Sequence, residues 1–131
     1  MAAQPPARLP DPVPRPEARG KVEIADDVVK QIVGYAVLEA YGVVGMASKN
    51  LYRGATHLLS RDSLTQGVEV RRDAEGVHID LYVVMEYGLN LAEVAANVRS
   101  GVRYAVERDT RLRLAGVQIH IQGVKRTETT R

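Results

Sequence analysis

YVVMEYGLNLAEVAANV, residues 82–98, carries two different repeats on either side of one glycine. Up to Met85 the apolar residues alternate, as on a half-buried strand. From Leu91 onward, Leu91, Val94, Ala95, Val98, Val102, Ala105 and Val106 keep one face of a helix. The intervening Glu86-Tyr87-Gly88-Leu89-Asn90 is either the lip of an active site or the joint between the two elements. Asn90 precedes the helical run and Glu93 lies three residues on, the spacing of a capping box. In that motif the Asn side chain accepts from the Glu93 amide, and Glu93 reaches back to the cap's own N–H. Such a cap is worth about 1 kcal/mol. Gly88 lets the chain leave the strand, and only Glu86 is left without a local task. The stretch is predicted to be a joint.

Working outward, VEVRRDAEGVHIDLYVVM (residues 68–85) places Val68, Val70, Val77, Ile79, Leu81, Val83 and Met85 at period two around Asp73-Ala74-Glu75-Gly76. That is a hairpin with one buried face. If Arg72 pairs with Val77, then Val70 faces Ile79 and Val68 faces Leu81, as burial requires. The same register sets Glu69 opposite Asp80 and Arg71 opposite His78. Two facing carboxylates repel, and an acid–base pair has that look; a solvated face screened by Arg71 is the plainer expectation. Glu86 is about 20 Å further along and cannot join them.

AGVQIHIQGV (115–124) reads as a last strand, with Val117, Ile119 and Ile121 inward and Gln118, His120 and Gln122 outward. On the N-terminal side, KVEI (21–24) alternates as a short strand. ADDVVKQIVGYAVLEAYG then spaces Val29, Ile32, Val33, Ala36 and Ala40 as a helix, with Asp26 and Asp27 where the helix dipole favours acids and Gly42 as a stop. VVGMA reads as a second short strand, and SKNLYRGATHLLSRDSLTQ as a loop with at most one helical turn. All six prolines fall between Pro5 and Pro16. Residues 1–20 are therefore expected to be a Pro-rich disordered tail, 21–124 the domain and 125–131 a polar C-terminal tail.

The chain has 131 residues with no Cys, Phe or Trp, six Tyr and 19 Val, so its core must come from small aliphatic side chains. Lack of cysteine excludes disulfides, thiolate metal sites and a cysteine nucleophile. No run approaches the roughly 18 apolar residues that span a bilayer, and no secretory leader opens the sequence. The expectation is a soluble cytoplasmic protein. Net charge is only +2, yet residues 99–131 hold eight Lys or Arg against three acids. Arg103 and Glu107 form a helical i,i+4 pair, and Arg108, Arg111 and Arg113 crowd the helix C-terminus. The functional version of that basic flank is a docking surface for an acidic partner or anionic lipid, with Arg99 and Arg103 at its centre.

Other chemistry is sparse. His57, His78 and His120 lack ligand spacing, although His78 and His120 share the outer face if their strands are neighbours; no metal and no cofactor is expected. The serines sit in no nucleophile elbow and no glycine-rich phosphate loop is present. GVVG (42–45) has the spacing of the nucleotide-clamping loop of KH domains. Against it, two valines neither bind phosphate nor prefer exposure, and few aromatics are available for stacking bases. A KH-like RNA-binding module is the alternative reading.

GKVEIADDVVKQIVGYAVLEAYGVVGM, GVEVRRDAEGVHIDLYVVMEYGLNLAEVAANVRSGVRYAVE and LAGVQIHIQGV together resemble the alkaline shock protein family, the envelope stress response proteins of Gram-positive and related bacteria. The resemblance covers residues 20–124 and leaves out the Pro-rich tail. It departs at Ala25, where the family often has a capping Ser or Thr whose task Asp26 is expected to take. It departs again at Thr110-Arg111, where a Thr-Gly pair commonly ends the second helix. The resemblance implies a small non-enzymatic protein that self-associates as a homo-oligomer. It further implies recruitment to the inner face of the membrane by a membrane-anchored partner, and supplies no catalytic residues.

Residues and resemblance lead to one expectation. The chain is an α/β (α+β) two-layer sandwich, β-α-β-β-β-α-β in order, with two helices on one face of a mixed sheet. Its role is that of an interaction or scaffold protein. The candidate interaction surface is Glu69, Arg71, His78, Asp80 and Tyr82 on the outer sheet face, with Arg99 and Arg103 on the helix.

Overall fold

A computed structural model of the chain describes residues 20–49 and 58–126. Helix α1 (Asp26–Leu38) turns Val29, Val33 and Val37 fully inward at i, i+4 and i+8. Strand β1 (Val43–Met46) follows, then a 3₁₀ helix (Arg61–Gly67), the hairpin β2 (Val68–Asp73) and β3 (Gly76–Glu86), helix α2 (Leu91–Thr110) and strand β4 (Leu114–Lys125).

Strand β3 is the axis of the sheet. On one side β4 runs parallel to it from Val77↔Leu114 to Glu86↔Lys125. On the other side β2 pairs antiparallel with its first half and β1 antiparallel with its second half, so these two short strands lie end to end. The hairpin register is the expected one: Arg72↔Val77, Val70↔Ile79, Val68↔Leu81, Glu69↔Asp80 and Arg71↔His78.

Val77, Ile79, Leu81, Val83 and Met85 of β3 form one core with α1 and with Val94, Val98, Val102 and Val106 of α2. Both helices therefore cover the same face of a mixed sheet, as expected. The 3₁₀ helix closes the layer beside α1, where a Cβ on Gly34 would stand 3.0 Å from Leu64 Cβ. A larger residue at 34 would push the two apart.

Several expectations need correcting. Residues 21–24 form no strand, so the observed order opens with α1 rather than with β. The reason lies in Arg72, whose guanidinium donates to the Ile24 carbonyl (2.8 Å) and to Asp26 (2.9 Å), tying the segment down by side chain instead of by a ladder. Asp26 therefore does not cap α1; Ala25 occupies the cap position without any side-chain bond. The helix ends at Leu38, ahead of Gly42, which instead takes φ +92° in the following turn, against Val94 and Leu89. In β4, Val117 is buried but Ile121 is 38% exposed, although its partner Val83 on β3 is fully buried. The Pro-rich segment, His57 and the end of the polar C-terminal segment lie outside the described residues.

Candidate functional site

The stretch 86–90 is a joint. Asn90 Oδ1 accepts the Glu93 N–H at 3.1 Å, and Gly88 turns the chain at φ +100°. The reciprocal half of the box, from Glu93 back to the Asn90 N–H, is absent among the hydrogen bonds of the described residues.

The outer face of the sheet brings five of the expected residues together, with His120, which the sequence reading placed there if the strands were neighbours, and Lys49, which it did not. Register places Glu69, Asp80 and Gln118 in one row and Tyr82 beside His120. The opposed carboxylates each meet a nitrogen from another part of the chain. Glu69 meets Lys49 Nζ at 3.1 Å, and Asp80 meets His120 Nε2 at 3.0 Å. The Glu69 carboxylate holds the Lys49 ammonium above its ordinary range, first through the hydrogen bond and then through its charge. Tyr82 lies between these pairs, its ring stacked on His120 at 4.6 Å and its hydroxyl donating to Glu69 at 3.4 Å. Burial, then the charges of Glu69 and Asp80, push its phenol upward. An acid–base dyad is not what this geometry provides; it provides a patterned surface of paired charges. Lys49 was beyond sequence reasoning because it reaches Glu69 from after β1, with no periodic signal to place it.

At the hairpin end, Asp73 accepts the Glu75 N–H (2.9 Å) and stands 2.9 Å from His78 Nε2, with Arg71 3.7 Å away. The turn bond first, then the His78 bond, hold the Asp73 carboxyl below its usual range. Asp73, Glu75 and His78 offer three ligand atoms within 4.8 Å of one another. Turn formation and the Arg71 contact account for that clustering without an ion. His78 and His120 do lie on neighbouring strands, but four residues apart in register, about 13 Å, too far to share an ion.

Arg99 and Arg103 lie on α2, in the helical layer and away from that face. Arg99 is exposed. Arg103 is held: it donates to the Leu114 carbonyl at 3.2 Å and pairs with Glu107, which accepts the Leu114 N–H at 3.3 Å. Between them the two side chains satisfy both backbone groups of the first residue of β4. GVVG is not a loop between helices, since Val43, Gly45 and Met46 are laddered to β3. Among the described residues, no helix is long and apolar enough to cross a membrane.

The model of the alkaline shock protein 23 family, described as having a cell envelope-related function, matches residues 15–126. The chain is 39% identical over 109 residues to the uncharacterized protein YloU of Bacillus subtilis, spanning 82% of this chain and 91% of that one. It is 34% identical over 106 residues to YqhY of the same organism, spanning 81% and 78%. A stress response regulator gls24 homolog of Streptococcus pyogenes serotype M3 is 27% identical over 110 residues, 84% of this chain and 62% of that one. Among solved structures, MamM-CTD 215-293 superposes with a TM-score of 0.46 at 14% identity, over 76% of this chain and 99% of that one, a likeness too slight to build on. The resemblance read from the sequence is borne out, and with it a role related to the cell envelope and to stress.

Proposed function

Because the chain belongs to the alkaline shock protein family, we propose that it acts without catalysis, as a scaffold of the envelope stress response. It associates with copies of itself and is recruited to the inner face of the membrane by an anchored partner. The observation that carries this reading is the outer side of the sheet, polar along the β2–β3 half while Leu58 packs over Gly45 and Val84 is buried at the β1 end. Its outer face presents Lys49, Glu69, Arg71, Asp80 and His120, and the far edge of β4 has no strand beside it among the described residues. Arg103 and Glu107 close only the first position of that edge. From Gly116 onward it offers a backbone ladder, with the exposed apolar Ile121 and Val124 near its end. An unprotected edge of this length is a template for strand pairing.

Sedimentation of the full chain across a range of concentrations tests the proposal. Assembly that grows with concentration, and that Ile121→Lys abolishes while the fold persists, is the expected result. A chain that stays monomeric at hundreds of micromolar would sink self-association. Lys49→Glu with Arg71→Glu addresses the outer face, and unchanged recovery of membrane proteins by the variant after crosslinking in cells would remove that face as the recruiting surface.

A further inference from the structure

On the side of the helical layer turned away from the sheet, α1 and α2 leave a groove of about 510 Å³ between them. Its floor is made of small residues, Ala36, Ala40, Gly101 and Ala105, and a Cβ added at Gly101 would meet nothing within 4 Å. Its rim holds Tyr35, Tyr41 and Tyr104, three of the chain's six tyrosines, exposed by 49%, 76% and 65%. Arg108 lies 5.2 Å over the Tyr104 ring and is itself paired with Asp109, which steadies that ring at one end of the groove. A cleft lined by small residues and exposed tyrosines is the kind that receives a polyproline helix. Such a ligand gives up little entropy because it is already extended.

The chain carries such a segment. At three residues per turn, Ala7, Pro10, Val13 and Pro16 fall on one face, Pro6, Leu9, Pro12 and Arg15 on the next, and Arg8, Asp11, Pro14 and Glu17 on the third. The first face carries no charge at all, as on a ligand with a side to bury. The exit point also fits. Residues 21–26 run beside Thr110 and Leu112, at the C-terminal end of α2, which is the Arg108–Asp109 end of the groove. The far end of α1 meets the start of α2, where Gly42 touches Val94, so the helices are antiparallel and the groove leads away from Gly20. Lengths agree as well. From Asn97 to Asp109 the groove runs about 18 Å along α2, and Pro10 to Pro16 in polyproline geometry spans about 19 Å. Residues 17–20 suffice to join them.

We propose that residues 10–16 of this chain dock into the α1–α2 groove of the same molecule, their Pro10/Val13/Pro16 face against Tyr35, Tyr41 and Tyr104. Tethering favours the chain's own segment over any free competitor, because a short linker supplies an effective concentration in the millimolar range. The inference stands apart from self-association, which uses the opposite side of the molecule.

The absence of cysteine makes the test direct. A spin label on Ala3→Cys in the full chain is expected to broaden amide resonances of residues 35–41 and 97–105, and those of the β2–β3 turn far less. Changing Pro10, Val13 and Pro16 to Ser is expected to abolish the localised broadening. Broadening spread evenly over the surface, or localised broadening indifferent to those three changes, overturns the proposal. Broadening seen only when labelled chains are mixed with isotope-enriched unlabelled ones also overturns it, and gives the groove to the segment of a second copy.

Discussion

Tyr82 and His120 stack across the parallel pair β3–β4, with ring centroids 4.6 Å apart and planes 10° from parallel. The stack seals the centre of the outer face and holds the tyrosine hydroxyl against Glu69. Burial and the two neighbouring carboxylates raise the Tyr82 phenol, so the folded chain keeps its proton at a pH where the unfolded chain has lost it. Stability from this group is complete below about pH 10, the unperturbed phenol value, and falls as pH climbs through the raised folded value. Tyr82→Phe keeps the stack and removes the titration. Urea midpoints at pH 9 and pH 11 should therefore drop less for the variant than for the wild type. Parallel drops would refute the assignment.

Gly76 faces the Arg113 carbonyl, which accepts the Val77 N–H at 2.9 Å where β4 joins the sheet. A Cβ at Gly76 would lie 2.6 Å from that oxygen, at a backbone φ of +130° that side chains avoid. Gly76→Ala is expected to cost more than about 2 kcal/mol. A Tm within two degrees of wild type would show that β4 can shift without penalty.

Arg111 ends α2 in the left-handed conformation, φ 63°, with its N–H on the Glu107 carbonyl. It occupies the place of the glycine in the family's common Thr-Gly pair. Thr110 keeps its half of the task, donating to the Val106 carbonyl and accepting from the Leu112 N–H. Arg111→Gly relieves the strain and should stabilise the domain by about 1 kcal/mol. A loss of stability in thermal melts would mean the arginine side chain holds something its exposed position does not reveal.

Asn90→Ala removes the single side-chain bond at the start of α2 and should cost about 1 kcal/mol, with Asn90→Ser restoring most of it. Equal destabilisation by both would point to the Asn backbone conformation rather than to the cap.

What the sequence made legible was periodic or local. The hairpin register followed from matching Val68, Val70, Ile79 and Leu81 on one face, and the Asn90 cap from a three-residue spacing. What stayed hidden depended on partners far along the chain. KVEI alternates like a strand, but Arg72, 48 residues after Ile24, takes its carbonyl, and nothing near Ile24 announces that. The opposed Glu69 and Asp80 were foreseen; Lys49 and His120, which they contact, come from separate parts of the chain. The Arg103–Glu107 pair was foreseen, but not its tie to β4, because the Leu114 carbonyl that Arg103 meets becomes visible only once β4 is placed.

Because, among the described residues, β1, β2 and β4 all hydrogen-bond to β3 and to no other strand, the sheet there has no part that can survive alone. Releasing β3 would leave three isolated strands with no ladder, so partial opening is confined to peeling one neighbour from the hub. The amides of β3 should then exchange with solvent only through opening of the entire domain, while those on the outer edge of β4 exchange from the native state. The molecule's labour is thereby divided: the outer edge of β4 can open while the β3 centre stays closed.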